Sequence, residues 1–175
     1  MKSIVKLELI GVAFIAFLGT ALHFTYELSG RNIMVAPFSA VNESVWEHLK
    51  LVFWPAALYA LIQYAALRER PSSFLLAKAL SMLVMPTIIV TLFYASRIFI
   101  EESLAFDILL FYLSIAAGQY TSIKILRVGD VSRGVSIASL LVIISMAVAF
   151  TYFTFNPPRI FLFRDPVSGL FGIEE

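Results

Sequence analysis

The sequence predicts an all-α integral membrane bundle of five transmembrane helices, closed by a short non-helical C-terminal hook. Hydrophobic residues make up 60% of the 175 positions, and the mean hydropathy is +0.89. They gather into five runs, at about 7–28, 48–67, 73–99, 103–123 and 135–155. Each run is near the ~20 residues that cross a hydrocarbon core of about 30 Å. A soluble domain cannot bury so many helices that are apolar all round, and a chain in lipid satisfies its backbone within helices. The alternating pattern of a membrane barrel strand is absent.

The first run follows Lys2 and Lys6 and imitates a signal peptide. Its length and the lack of a small-x-small cleavage site mark it as a retained first helix. The second follows a turn-rich stretch, 37–42, that begins with Pro37. Pro55 and Pro86 remove backbone donors from the second and third helices and are expected to kink them, which neighbouring helices tolerate in a membrane. Asn156, Pro157 and Pro158 stop the fifth. Residues 1–155 therefore read as the transmembrane domain and 156–175 as an extracytoplasmic tail. Within the tail, Asp165, Pro166 and Gly169 supply turn residues between two short apolar runs. This predicts a hook on the outer surface, either covering a polar layer there or anchoring aromatics at the lipid boundary.

Loop charges set the orientation. Alternating the loops puts eight of the thirteen basic residues on one side: Lys2, Lys6, Arg68, Arg70, Lys78, Lys124, Arg127 and Arg133. Glu8, Glu69 and Asp130 are the acids on that side, and the other nine acids lie opposite. The positive-inside rule makes the basic side cytoplasmic, with the N-terminus inside the cell membrane and the C-terminus outside. No cysteine is present, which excludes disulfides, thiol catalysis and thiolate zinc sites. The net charge of +1 says nothing about partners, and no basic cluster suggests nucleic acid, so none is expected. The lipid bilayer is the partner the composition implies. Five spans are few for a complete transporter, which favours a homo-oligomer or a membrane complex.

In so apolar a chain, the placement of charge is informative. Residues 42–48 (NESVWEH) put three ionisable groups at the start of helix 2, and both histidines, His23 and His48, lie in or near this region. His23 and Glu27 are four apart in the last turns of helix 1, so they share a face. Glu43 and Glu47 are likewise four apart. Arg97 ends helix 3, Glu101 and Glu102 follow, and Asp107 lies about one turn into helix 4. These groups fall at one depth on the outer side, where intramembrane polar residues tend to mark a site. Nitrogen and oxygen donors from His23, Glu27, Glu43, Glu47 and His48 suit a divalent metal such as Zn²⁺. Asn42, Arg97, Asp107, Arg164 and Asp165 are the ligand-contacting candidates beside it, and Glu47 or Glu43 is the candidate base.

Structural roles compete for the same residues. Ser44 to Glu47 fits a capping box, Asn42 is a good N-cap, Glu47 and Lys50 can pair at i,i+3, and Arg97 can neutralise Asp107. The helical His-Glu-x-x-His zinc signature is absent. Ser139, Ser145 and Thr154 have no nearby base, so no Ser–His–Asp triad is read. Asn42-Glu-Ser44 matches a glycosylation acceptor but lies close against the membrane.

Three strings carry a resemblance: His23-Phe-x-Tyr-Glu27, VNESVWEHLK at 41–50, and Phe163-Arg-Asp-Pro-x-Ser-Gly-x-Phe-Gly172. Together they resemble an uncharacterised family of small prokaryotic multi-pass membrane proteins, classed as a domain of unknown function. The resemblance is strongest over 23–55 and 156–173 and implies family membership without an activity. Three functions stay open on the sequence. One is binding of a divalent metal or small polar ligand at an outward-facing His/Glu site, linked to transport. The second is a membrane-embedded metal-dependent hydrolase. The third is a structural or assembly subunit.

Overall fold

The computed structural model describes residues 2–67, 69–99 and 103–173, with Lys2 and Ser3 described by their backbone alone. Arg68, Glu101 and Glu102 lie outside the described residues, as do Glu174 and Glu175 of the tail. Five helices are long and apolar enough to cross a membrane: α1 (Lys2–Leu28), α2 (Val45–Ala66), α3 (Phe74–Ser96), α4 (Leu104–Ile125) and α5 (Arg133–Phe155). The chain is a multi-pass membrane protein. No strand occurs among the described residues, and α2 and α3 continue through Pro55 and Pro86 as single helices. The tail differs from the expected non-helical hook in one respect: Phe161–Phe163 forms a single 3-10 turn.

The packing follows from the chain order. α1 packs on α2, α2 on α3, α3 on α4, and α4 back on α1, while α5 lies outside this ring against α3 and, more lightly, α2. Val52, Phe53, Tyr59, Met82, Met85 and Ile115 form the buried centre, with Phe150 of α5 reaching it. α2, which buries Glu47, Lys50 and Gln63, is the most buried helix, and α5 the least.

One close approach sets the register of the site. A Cβ on Gly19 would stand 2.3 Å from the Leu51 carbonyl oxygen and 2.8 Å from Phe111 Cζ. Only a glycine lets α1 come this near the α2 backbone. One turn further along α1, and one turn back along α2, His23 meets His48. The same antiparallel register sets Gly11 on Tyr59 and Glu8 beside Gln63 at the other end of the pair.

The tail folds back onto the N-terminal end of α2. Phe163 is buried, with its ring 4.6 Å from that of Trp46 and 5.5 Å from that of Phe153. Asp165 closes a tight turn, its Oδ1 accepting from Val167 N at 2.7 Å and its amide donating to Leu170 O at 3.0 Å. Asn42 Nδ2 then donates to Gly172 O at 2.8 Å. Gly172 has φ +74, where a side chain is strained, and a Cβ there would also meet Pro157 Cγ at 2.9 Å.

Candidate functional site

Ser44 decides where the polar groups of the 42–48 segment go. It is the N-cap of α2, in extended conformation, and its hydroxyl accepts from Glu47 N at 3.4 Å. Only half of the expected capping box forms. Asn42 Oδ1 takes the Ser44 amide at 2.9 Å, so Glu47 is not needed there. Glu43 precedes the helix, and the expectation that Glu43 and Glu47 share a helical face fails for that reason. The two carboxylates part company.

Glu47 turns inward. Its Oε2 lies 2.5 Å from Lys50 Nζ and accepts from Val41 N at 3.0 Å. Lys50, 0% exposed, also donates to Ala36 O at 2.8 Å and to Thr154 Oγ1 of α5 at 2.9 Å. This buried pair ties the α1–α2 loop, α2 and α5 together, with Lys50 donating to Glu47, Ala36 O and Thr154 Oγ1. Glu27 is exposed and pairs with Arg31 Nε at 3.1 Å. Neither carboxylate joins the histidines.

Glu43 does. Glu43 Oε2 stands 3.4 Å from His48 Nε2, and the His23 and His48 rings are 5.1 Å apart between centroids. His23, Glu43 and His48 each offer one ligand atom, and these lie within 4.8 Å of one another. The five expected ligands thus narrow to three in contact. The edge of a tetrahedron with metal–ligand bonds near 2.0–2.1 Å is about 3.3 Å, which the His48–Glu43 spacing already matches. Glu43, on a half-exposed loop, is free to close the remainder.

The hydrogen bonds make the cluster specific. His48 Nδ1 is 2.9 Å from the Ser44 carbonyl oxygen, which can only accept, so Nδ1 carries a proton. In neutral His48 the Nε2 lone pair then points at a carboxylate oxygen. Two acceptors facing each other need a proton or a cation between them. A carbonyl fixing the far nitrogen is the arrangement that orients a metal-binding imidazole. His23 Nδ1 is buried with no hydrogen-bond partner. When His48 is instead doubly protonated, its Nε2–H donates to Glu43 and holds that carboxyl below its ordinary value, against the opposing effect of partial burial. Glu43 therefore contributes stability above the ordinary carboxylate value of 4.5, and that contribution is lost as the pH falls through the lowered one.

The other candidates lie around this centre or away from it. Asp165 Oδ2 accepts from Glu43 N at 3.5 Å, and Asn42 holds the tail, so both border the cluster through the backbone. Arg164 is exposed, with Nε 3.4 Å from Gly169 O of its own turn. Arg97 Nη2 and Asp107 Oδ2 pair at 2.6 Å, joining the end of α3 to the first turn of α4. Among the described residues no hydrogen bond or ion pair links that pair to the histidines.

With this geometry in place, the chain matches one family over residues 1–173. It belongs to the family of unknown function DUF6512. The matched range takes in all five helices and the hook as far as Ile173, and so every residue of the cluster in this DUF6512 member. No curated protein and no solved structure matches the chain.

A second polar centre escaped the sequence reading. Glu8 and Lys78, counted there only as loop-side charges, are buried against each other at 2.7 Å. Both stand inside long apolar runs, opposite in sign and near the same end of the bundle. That combination is the signal a sequence offers for such a pair.

Proposed function

We propose that the protein binds a divalent transition metal such as Zn²⁺ through His23, Glu43 and His48, on the outward-facing side of the membrane. Three protein ligands leave a position for water or a small polar ligand. The observation that carries the reading is the pair of contacts at His48: Ser44 O accepts from Nδ1–H, and Nε2 is left facing Glu43. The excess of basic residues on the opposite side supports the orientation. The tail, seated on Asn42 and on the Glu43 amide, borders the open position. The hydrolase reading is left without a base, because Lys50 holds Glu47 and Glu43 is a ligand.

Metal analysis of detergent-purified protein tests the proposal. A divalent metal should co-purify or titrate in, and His23→Ala or His48→Ala should each weaken binding by more than about 100-fold. Glu27→Gln should leave affinity unchanged. Binding requires neutral imidazoles, so it should weaken as the pH falls through about 6.5. Unaltered binding in both histidine variants, or none in the parent, would end the metal reading and leave a structural polar network. Orientation has its own test. A cysteine in the α1–α2 loop (Met34→Cys) should react with an impermeant thiol reagent from outside, and one at Asp130 (Asp130→Cys) should not. The reverse pattern would put the cluster in the cytoplasmic half.

A further inference from the structure

The buried pair at the far end of the bundle differs from Glu47–Lys50 in one telling way. Glu8 and Lys78 are 0% and 3% exposed. Glu8 Oε1 accepts three hydrogen bonds, from Lys78 Nζ at 2.7 Å, Gln63 Nε2 at 2.8 Å and Ser122 Oγ at 3.0 Å. Glu8 Oε2 accepts none, although it too is buried, and neither does Gln63 Oε1. Thus α1, α2, α3 and α4 meet at a centre whose two open atoms are both acceptors. The remaining polar groups around it are fixed elsewhere: Gln119 Nε2 donates to Glu8 O at 3.3 Å, and the Tyr59 hydroxyl donates to Leu7 O. Lys78 also donates to Ser122 Oγ at 2.9 Å.

An unmet buried acceptor costs about 1–3 kcal/mol, and a charged one more. A fixed structural ion pair gains nothing from two of them. A proton on Glu8 Oε2 changes the count, because it turns one acceptor into a donor and leaves Gln63 Oε1 as the acceptor for it, directly or through one water. We propose that Glu8, backed by Lys78, is a proton-binding site buried at the N-terminal end of α1, independent of the histidine cluster. Loading forms an O–H bond at Glu8 with a proton from hydronium, releasing water, and leaves Lys78 an ammonium held by Ser122.

Infrared difference spectroscopy on the full chain in lipid tests this, since a protonated carboxyl has a carbonyl stretch that a carboxylate lacks. The parent should show a pH-dependent band of this kind in addition to those of its exposed carboxyls. It should vanish in Glu8→Gln. In Lys78→Met the band should persist to higher pH, because the ammonium that favours the carboxylate is gone. Ser122→Ala removes a single donor and neither charge, so it keeps the test open if the charge variants fail to fold. It should shift the band's frequency. No such additional band in the parent, or a band identical in the parent, Glu8→Gln and Ser122→Ala, would overturn the proposal and leave a fixed ion pair or an ordered water.

Discussion

Replacing Glu47 with leucine should destabilise the protein by about 3–5 kcal/mol, the cost of stranding one member of a buried ion pair. Lys50 would keep its bonds to Ala36 O and Thr154 Oγ1, but both partners are neutral and the nearest carboxylate would be gone. Lys50→Met alone should cost a similar amount, through the carboxylate left behind. The double variant, Glu47→Leu with Lys50→Met, should recover most of the loss, because apolar residues of similar volume replace a buried pair at little net cost. Unfolding of the four proteins in mixed micelles gives the cycle directly. Additive losses in the double variant would mean that the pair does not act as a unit. Metal affinity measured on the folded fraction should be unchanged in the double variant, since neither residue is a ligand and the pair removed carries no net charge.

Gly19→Val should have the second largest effect, and it should reach the site without touching it. The added Cβ would meet backbone, the Leu51 carbonyl at 2.3 Å, and backbone cannot rotate away. α1 and α2 must separate, at a cost of about 1–3 kcal/mol or more for an overpacked interface. His23 rides on α1 and His48 on α2, so their separation should grow and metal affinity should fall with stability. Gly134→Ala is the contrasting control. Its Cβ would find nothing nearer than Ser132 Oγ at 3.8 Å, and alanine is the better helix former by about 1 kcal/mol. Gly134→Ala should be neutral or stabilising, with metal affinity intact. If both variants lower affinity alike, the close approach at Gly19 does not position the cluster.

Hydropathy made the five helices legible because bilayer thickness imposes a length on every span, and no other constraint in the chain is so uniform. The His23–His48 pairing was legible for a related reason: two antiparallel helices joined at one membrane face must bring their adjoining ends together. Roles within the polar segment were not. Spacing alone gave Glu43 and Glu47 one face, but that holds only inside a helix, and Ser44 starts the helix between them. Which carboxylate Lys50 captures depends on Ala36 and Thr154, residues 14 and 104 positions away. Glu8 and Lys78, 70 positions apart, were hidden because a charge within a turn or two of a helix end looks like a surface charge until its neighbours are known.

The two buried Glu–Lys pairs impose different histories on the nascent chain. Glu47 and Lys50 are one turn apart on one helix, so α2 carries its own counter-ion as it leaves the translocation machinery. A lone charge in a span costs up to about 2.5–3.5 kcal/mol on insertion, and α2 need not meet that cost. α1 has no such arrangement. Glu8 must wait for Lys78, made 70 residues later, which at translation rates is a delay of roughly ten seconds. During that interval α1 is best kept at the water interface or against the insertion machinery. The pairing that settles Glu8 in the finished interior cannot form until α3 has been made.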